Sequence, residues 1–331
     1  MALLTSLRRF ATEHRIIAMA VQLAVLAVFL GFVGYAIRGS FHAAATDLRN
    51  ADPVYFTLGC TALAGYYLAF VLGWMRILAD WDVRLPYPAA LRAEMVSMLA
   101  KYVPGGVWTP AARVVAARRA GVTDAALVTA SMLLEAGISA VAGVLVFVLS
   151  LTWVKGVDAP VVPIVAFAVV VAVLVQPRVF RPLAARVLRR LGYGRDLPQL
   201  RASTMAVLLV FYAGTWVLGG LALWLLVRAV GAHPDAGAIV FLGGTAAVGA
   251  IVAVLAVFAP SGLGPREATM YGLMLAVAPQ GAALGATVLN RVAITVVEVL
   301  LLLVGGLLLR GAGEVDDAEP APAPRRRSMT S

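Results

Sequence analysis

The chain has 331 residues, 62% hydrophobic and 13% charged, with a formal net charge of +10 and a mean hydropathy of +0.92. A soluble globular chain carries about 25% charged residues, so an ordinary water-soluble domain is excluded. A basic balance also suits nucleic acid, but that needs a solvated basic face on a folded domain. None is legible, and no nucleic-acid partner is expected.

The first apolar run is 16–37. A signal-peptide core is roughly 7–15 residues, so this run reads as an uncleaved span, although Ala43-Ala44-Ala45 looks like a cleavage site. A crossing helix needs about 20 apolar residues. Further candidates are 54–79, 123–152, 160–177, 203–230, 237–258 and 283–309. Segment 267–279 is shorter, about 20 Å as a helix. Counting it, the chain reads as an all-α polytopic membrane protein with about eight transmembrane segments in one domain, 16–309.

Loop charge sets the orientation. Arg8, Arg9 and Arg15 outnumber Glu13 before the first span, whereas the 38–53 loop balances Arg38 and Arg49 against Asp47 and Asp52. The 80–122 stretch sets Arg84, Arg92, Lys101, Arg113, Arg118 and Arg119 against Asp80, Asp82 and Glu94. The 153–159 turn carries one of each sign, Lys155 and Asp158. The 178–202 loop sets Arg178, Arg181, Arg186, Arg189, Arg190, Arg195 and Arg201 against Asp196 alone. Basic and balanced loops alternate as the positive-inside rule requires, which puts residues 1–15 and the C-terminus in the cytoplasm of a cell-membrane protein. Arg178, Arg181, Arg186, Arg189 and Arg190 are then expected to meet anionic lipid. The tail 310–331 is rich in Pro, Ala and charge and is expected to be disordered.

Two places break the helical pattern: Lys101-Tyr102-Val103-Pro104-Gly105-Gly106-Val107-Trp108, and Pro260-Ser261-Gly262-Leu263-Gly264-Pro265-Arg266-Glu267. Each follows two spans and precedes two membrane segments, so the chain reads as two similar halves. Proline removes a backbone donor and glycine loosens the helix. The freed backbone groups survive in a membrane only inside protein or beside a water-filled cavity. Paired interruptions of this kind point to a transporter's binding site and to re-entrant segments. A freed helix N-terminus attracts an anion, with Lys101 and Arg266 adding charge. The bland alternative is a pair of interfacial turns with basic anchors. Segment 85–100 reads as an interfacial helix or as the entering arm of a hairpin.

Glu135 lies near the middle of its span, and Arg291 and Glu298 share a face of the last one, with Asn290 beside Arg291. Charges this deep cost at least ~2.5–3.5 kcal/mol each, so they should face a partner or a cavity. The expected pairing is Arg291 with Glu135 or Glu298, in a functional cavity or as a structural ion pair. Arg76 and Arg228 sit near span ends and are expected to snorkel. The six tryptophans read mostly as interfacial aromatics and the Gly219-Gly220 and Gly243-Gly244 pairs as close packing. Cys60 is the one cysteine, and His14, His42 and His233 are scattered, so neither a disulfide, a metal site nor a cofactor is expected. No P-loop, HExxH or GxSxG element appears, and no enzyme activity is expected.

The sequence resembles the lysylphosphatidylglycerol synthase transmembrane-region family, flippase-like membrane proteins. The matching elements are the 101–108 break with Arg113, Leu133-Leu134-Glu135, Gly262-Leu263-Gly264-Pro265-Arg266-Glu267-Ala268, and Arg291. The resemblance implies a role with lipids, either translocating an aminoacylated phosphatidylglycerol or accompanying a glycosyltransferase that acts on lipid-linked sugars. No aminoacyl-transfer or glycosyltransferase segment is read here, so synthesis of lysylphosphatidylglycerol is not expected. The expected site is a headgroup path formed by Lys101, Tyr102, Pro104, Gly105, Gly106, Arg113, Glu135, Gly262, Gly264, Arg266, Glu267, Asn290, Arg291 and Glu298. The alternative is a non-catalytic membrane subunit that positions a glycosyltransferase or lipid-modifying enzyme.

Overall fold

The computed structural model describes residues 49–100, 108–152, 154, 161–190, 197–256, 259 and 262–308. The first span, the 101–107 break and the tail lie outside the described residues. The described chain is all helical: α1 Pro53–Asp80, α2 Tyr87–Ala100, α3 Trp108–Arg119, α4 Ala125–Ser150, α5 Val161–Val175, α6 Pro177–Arg190, α7 Ala202–Ala229, α8 Ala238–Leu255, α9 Pro265–Met274 and α10 Gln280–Leu308.

Hydrocarbon offers the backbone no hydrogen bonds, so apolar segments must satisfy their own as helices. Short polar side chains set where they start. Asp52 accepts the N–H groups of Val54 (2.7 Å) and Tyr55 (3.4 Å), and Asp124 those of Ala126 and Leu127 (3.0 and 3.1 Å). Five described helices, α1, α4, α7, α8 and α10, are long and apolar enough to cross a membrane, or six if the bent pair α5–α6 counts as one. The expected count of eight is not reached among these residues. Segment 267–279 holds only the larger part of the 10-residue helix α9, which runs Pro265–Met274 and is about 15 Å long.

Residues 178–190, read from the sequence as part of a loop, instead belong to α6, bent 73° from α5. The correction has a local cause. Pro177 disfavours helix at Gln176 and suits a first turn, so one helix stops and another begins. Arginine is a good helix former, and Phe180 and Ala184 turn to the bundle beside Leu197 and Leu200. The Arg181 Nε–H donates to the Leu197 carbonyl at 3.1 Å.

Hydrogen bonds give the helix directions. The Asp52 N–H donates to the Ala229 carbonyl at one end of α1 and α7 (2.8 Å). At the other end, Asp80 accepts the Thr204 hydroxyl and the Arg201 N–H, both at 2.8 Å. These two helices are therefore antiparallel along their whole length. Helix α4 runs parallel to α7, because Glu135 meets Tyr212 and the Ser139 carbonyl meets the Trp216 indole N–H at 2.8 Å. The end of α1 and the start of α4 thus share the Asp80 end of the bundle, and α2 and α3, packed on each other, lie between them in sequence.

Helix α8 returns antiparallel to α7. A Cβ on Gly220 would strike the Ile239 carbonyl, and one on Gly243 the Trp216 carbonyl, so glycine permits this crossing. Helix α9 folds back along α8, with Gly249 beside Met270 and Gly262 (φ +65°) against Ala253. Helix α10 then runs past α1, where Tyr67 donates to Glu298 at 2.8 Å. At the Ala229 end, His233–Asp235, Gly237, Ala238, Ala276, Val277 and Val154 line a cavity of about 460 Å³. Valines on the span surfaces are exposed, Val210 at 74% and Val254 at 77%, as lipid-facing side chains are.

Candidate functional site

Helix α3 buries Arg113 and Ala117, four residues apart on one face. Helix α2 presents Glu94 and Ser97 toward it, and α4 carries a polar seam, Ser131, Glu135 and Ser139, repeating every four residues. These faces close on the guanidinium of Arg113. One terminal nitrogen meets Glu135 at 2.6 Å, the other pairs with Glu94, and Nε donates to the Ser97 hydroxyl at 3.3 Å. Its central carbon lies 4.9 Å from the Trp74 ring centroid, and the Trp74 indole N–H donates to Ser131 at 2.9 Å. Tyr212 donates to the second Glu135 oxygen at 3.3 Å. The side chains of Arg113, Glu94 and Glu135 are 5%, 2% and 4% exposed, so this ion set is sealed from solvent. Only a planar fork of five donors can hold two carboxylates and a hydroxyl at once, which is why arginine suits the position.

The second group gathers at the start of α9. Gly264 adopts φ +95°, a conformation open to glycine, and its N–H donates to the Glu267 carboxylate at 2.7 Å. The other Glu267 oxygen meets Arg291 at 3.3 Å, with the two side chains 20% and 22% exposed. Asn290 turns its amide toward the Met270 sulfur at 4.0 Å. Arg266 is half-buried, with its methylenes near Gly249.

Two adjacent tyrosines of α1 join the groups. Tyr66 lies within electrostatic range of Glu94, Glu135 and Arg266, and Tyr67 within range of Arg266 while bonded to Glu298. Their rings pack edge to face at 5.4 Å. The Arg113–Glu135 pair, the Tyr66–Tyr67 pair with Glu298, and Arg266 thus act on one another electrostatically and make a polar track within an otherwise apolar bundle.

This geometry differs from the pairing expected for Arg291. Glu135 is held by Arg113, and Arg291 reaches Glu267 on the facing short helix. Arg113, expected in the headgroup path, is enclosed between carboxylates. Glu94, Ser97, Tyr66, Tyr67, Trp74 and Tyr212 were not expected in the site. A usable signal existed for the tyrosines, since paired phenols at mid-span need acceptors. Lys101, Tyr102, Pro104, Gly105 and Gly106 lie outside the described residues. Arg178, Arg181 and Arg186 lie on α6, and the side chains of Arg189 and Arg190 are outside the described set. Among the described residues no three His, Cys, Asp or Glu side chains gather as a metal site.

Residues 19–302 match a family model described as the lysylphosphatidylglycerol synthase TM region. No curated protein matches the chain significantly.

Proposed function

Because the chain belongs to the lysylphosphatidylglycerol synthase TM region family, we propose that it binds a polar-headed lipid and carries the headgroup between leaflets of the cell membrane. The observation behind this reading is the polar track joining Arg113–Glu135, Tyr66–Tyr67 and the Arg266–Glu267–Arg291 group. Acyl chains stay in hydrocarbon, so only the headgroup needs a polar lining. Arg266 and Arg291 are the cations for its phosphate, being partly exposed where Arg113 is sealed. Arg291 exchanges its single contact with Glu267 for the phosphate, which a guanidinium can hold with two donors.

In this reading α2 and α3 form a re-entrant hairpin, which the shared location of the α1 end and the α4 start supports. The Asp80 end faces the cytoplasm, since α6 brings its arginines there and basic segments stay inside. Helix α10 leads away from the cavity end toward the same side, so both termini are cytoplasmic. The arginines of α6 rest on anionic lipid. The protein is a carrier in which no covalent step is assigned.

The test is a scrambling assay with purified protein in liposomes that contain fluorescent phosphatidylglycerol and an impermeant quencher. Quenching well past the outer-leaflet half is expected, with loss in Arg291→Ala and Glu135→Ala proteins that still fold. Quenching that stops at half, as in empty liposomes, rejects spontaneous translocation. It would favour the subunit reading, in which the arginine surface docks a glycosyltransferase or lipid-modifying enzyme.

A further inference from the structure

Arg228 lies in the last turn of α7, at the end opposite Asp80 and Thr204. Helix α7 has 28 residues, a length of about 42 Å against a hydrocarbon thickness near 30 Å. Its last turn therefore stands at headgroup level, where tryptophan and tyrosine also collect. The guanidinium carbon is 4.7 Å from the Trp224 ring centroid and 5.2 Å from that of Tyr55, so the cation rests against two aromatic rings. Its Nε is buried and donates to no acceptor, and Arg228 forms no ion pair among the described residues.

The surroundings make the missing acceptor specific. Asp52, the nearest acid on α1, is occupied in capping Val54 and Tyr55. Asp235 and His233 are exposed on the following loop, and Arg49 is an exposed cation before α1. The rings themselves are fixed. The Trp224 indole N–H donates to the Pro234 and Asp235 carbonyls at 3.1 and 3.3 Å, and the backbone beside Tyr55 is tied to Ala229 through Asp52. A snorkelling arginine would be free to rotate, whereas contact with two aromatic rings holds this one in place and leaves its N–H groups to find an acceptor. Arg113, in contrast, has all three nitrogens engaged, by two carboxylates and the Ser97 hydroxyl.

We propose that Arg228, held against Tyr55 and Trp224, is a binding site for a phosphate oxyanion at the end of the bundle away from α6. A phosphate matches a planar guanidinium edge better than any other anion abundant at that level, and the bond is charge-assisted. The phosphate comes from a lipid headgroup or from soluble phosphate. The site does not depend on translocation, and liposome scrambling neither supports nor overturns it.

Trp224 is itself the reporter. The protein is placed in phosphatidylcholine nanodiscs in which either a minor phosphatidylglycerol fraction or an equal phosphatidylcholine fraction carries brominated chains. Comparison with Trp224→Phe isolates the emission of Trp224. Brominated phosphatidylglycerol should be enriched about fivefold at Trp224 over its bulk share, the effect of one arginine at a membrane surface. Arg228→Gln should abolish that preference while leaving thermal unfolding near wild type. If that variant does not fold, Arg228→Lys carries the test, and its preference must fall below wild type because the planar guanidinium is lost. Equal quenching by the two lipids, with inorganic phosphate leaving Trp224 emission unchanged, overturns the proposal. So does a preference undiminished in both Arg228 variants. An emission change with inorganic phosphate, lost in Arg228→Gln, keeps the oxyanion site and assigns it to soluble phosphate.

Discussion

Arg113 and Glu135 meet at 2.6 Å although they stand 22 positions apart on different helices, and neither side chain is more than 5% exposed. The contact ties the α2–α3 pair to the spanning helix α4. Glu94 closes the other side of the guanidinium, so two acids share this cation.

Replacing Arg113 by Gln removes the cation that Glu135 and Glu94 share, and loss of one partner from a buried pair costs about 3–5 kcal/mol. The expected outcome is a large fall in the unfolding temperature of the detergent-purified protein. Glu135→Gln should cost less, because the amide oxygen still accepts from Arg113 while its NH2 group donates to the Tyr212 hydroxyl oxygen. A double-mutant cycle on the two positions should return a coupling of at least about 0.5 kcal/mol. Additive effects would mean that the two side chains do not share one interaction.

Asp80→Ala should destabilise by about 1–3 kcal/mol, leaving the Thr204 hydroxyl and the Arg201 N–H without their acceptor. The charge itself contributes little there, since the Arg201 side chain is 73% exposed and solvent screens it. Asp80→Asn should therefore recover most of the loss in a thermal melt. If Asn proves as damaging as Ala, the ion pair rather than the hydrogen bonds holds that end.

Gly220→Ala puts a Cβ onto the Ile239 carbonyl and the Gly243 backbone, where no side chain can rotate aside. Forcing extra volume into such a contact costs about 1–3 kcal/mol. Gly214→Ala, on the same helix with nothing within 4 Å of its added Cβ, is the control and should leave the melting temperature near wild type or raise it. Equal effects of the two substitutions would refute the close crossing of α7 and α8.

Arg178→Gln with Arg186→Gln should weaken retention of anionic phospholipid by about 1 kcal/mol per arginine near the surface. Native mass spectrometry of the purified protein would read this as fewer bound phosphatidylglycerol molecules, with phosphatidylcholine unchanged. Retention should also fall as salt rises, because exposed charges are screened over about 10 Å at 0.1 M. Phosphatidylglycerol retention that is unaffected by both substitutions would remove α6 from the lipid contact.

The helical membrane class and the positions of α1, α4, α7, α8 and α10 were legible in the sequence. Each rests on local properties: some twenty apolar residues in a row, or an aspartate such as Asp52 or Asp124 ahead of a helix. Helix α6 was readable in principle, since Phe180 and Ala184 alternate with arginines at helical spacing, but the density of charge read as loop. What only the tertiary structure decided is partner choice: Arg113 rather than Arg291 for Glu135, Glu267 for Arg291, Tyr67 for Glu298, and Tyr66 placed between both charged groups. A buried ion can be told from sequence to need a counterpart, because leaving it unpaired in hydrocarbon is too costly. Which counterpart it finds depends on which helix faces meet, and that is set by close crossings such as Gly220 on α8 and by the shared end of α1 and α4, which no local pattern encodes.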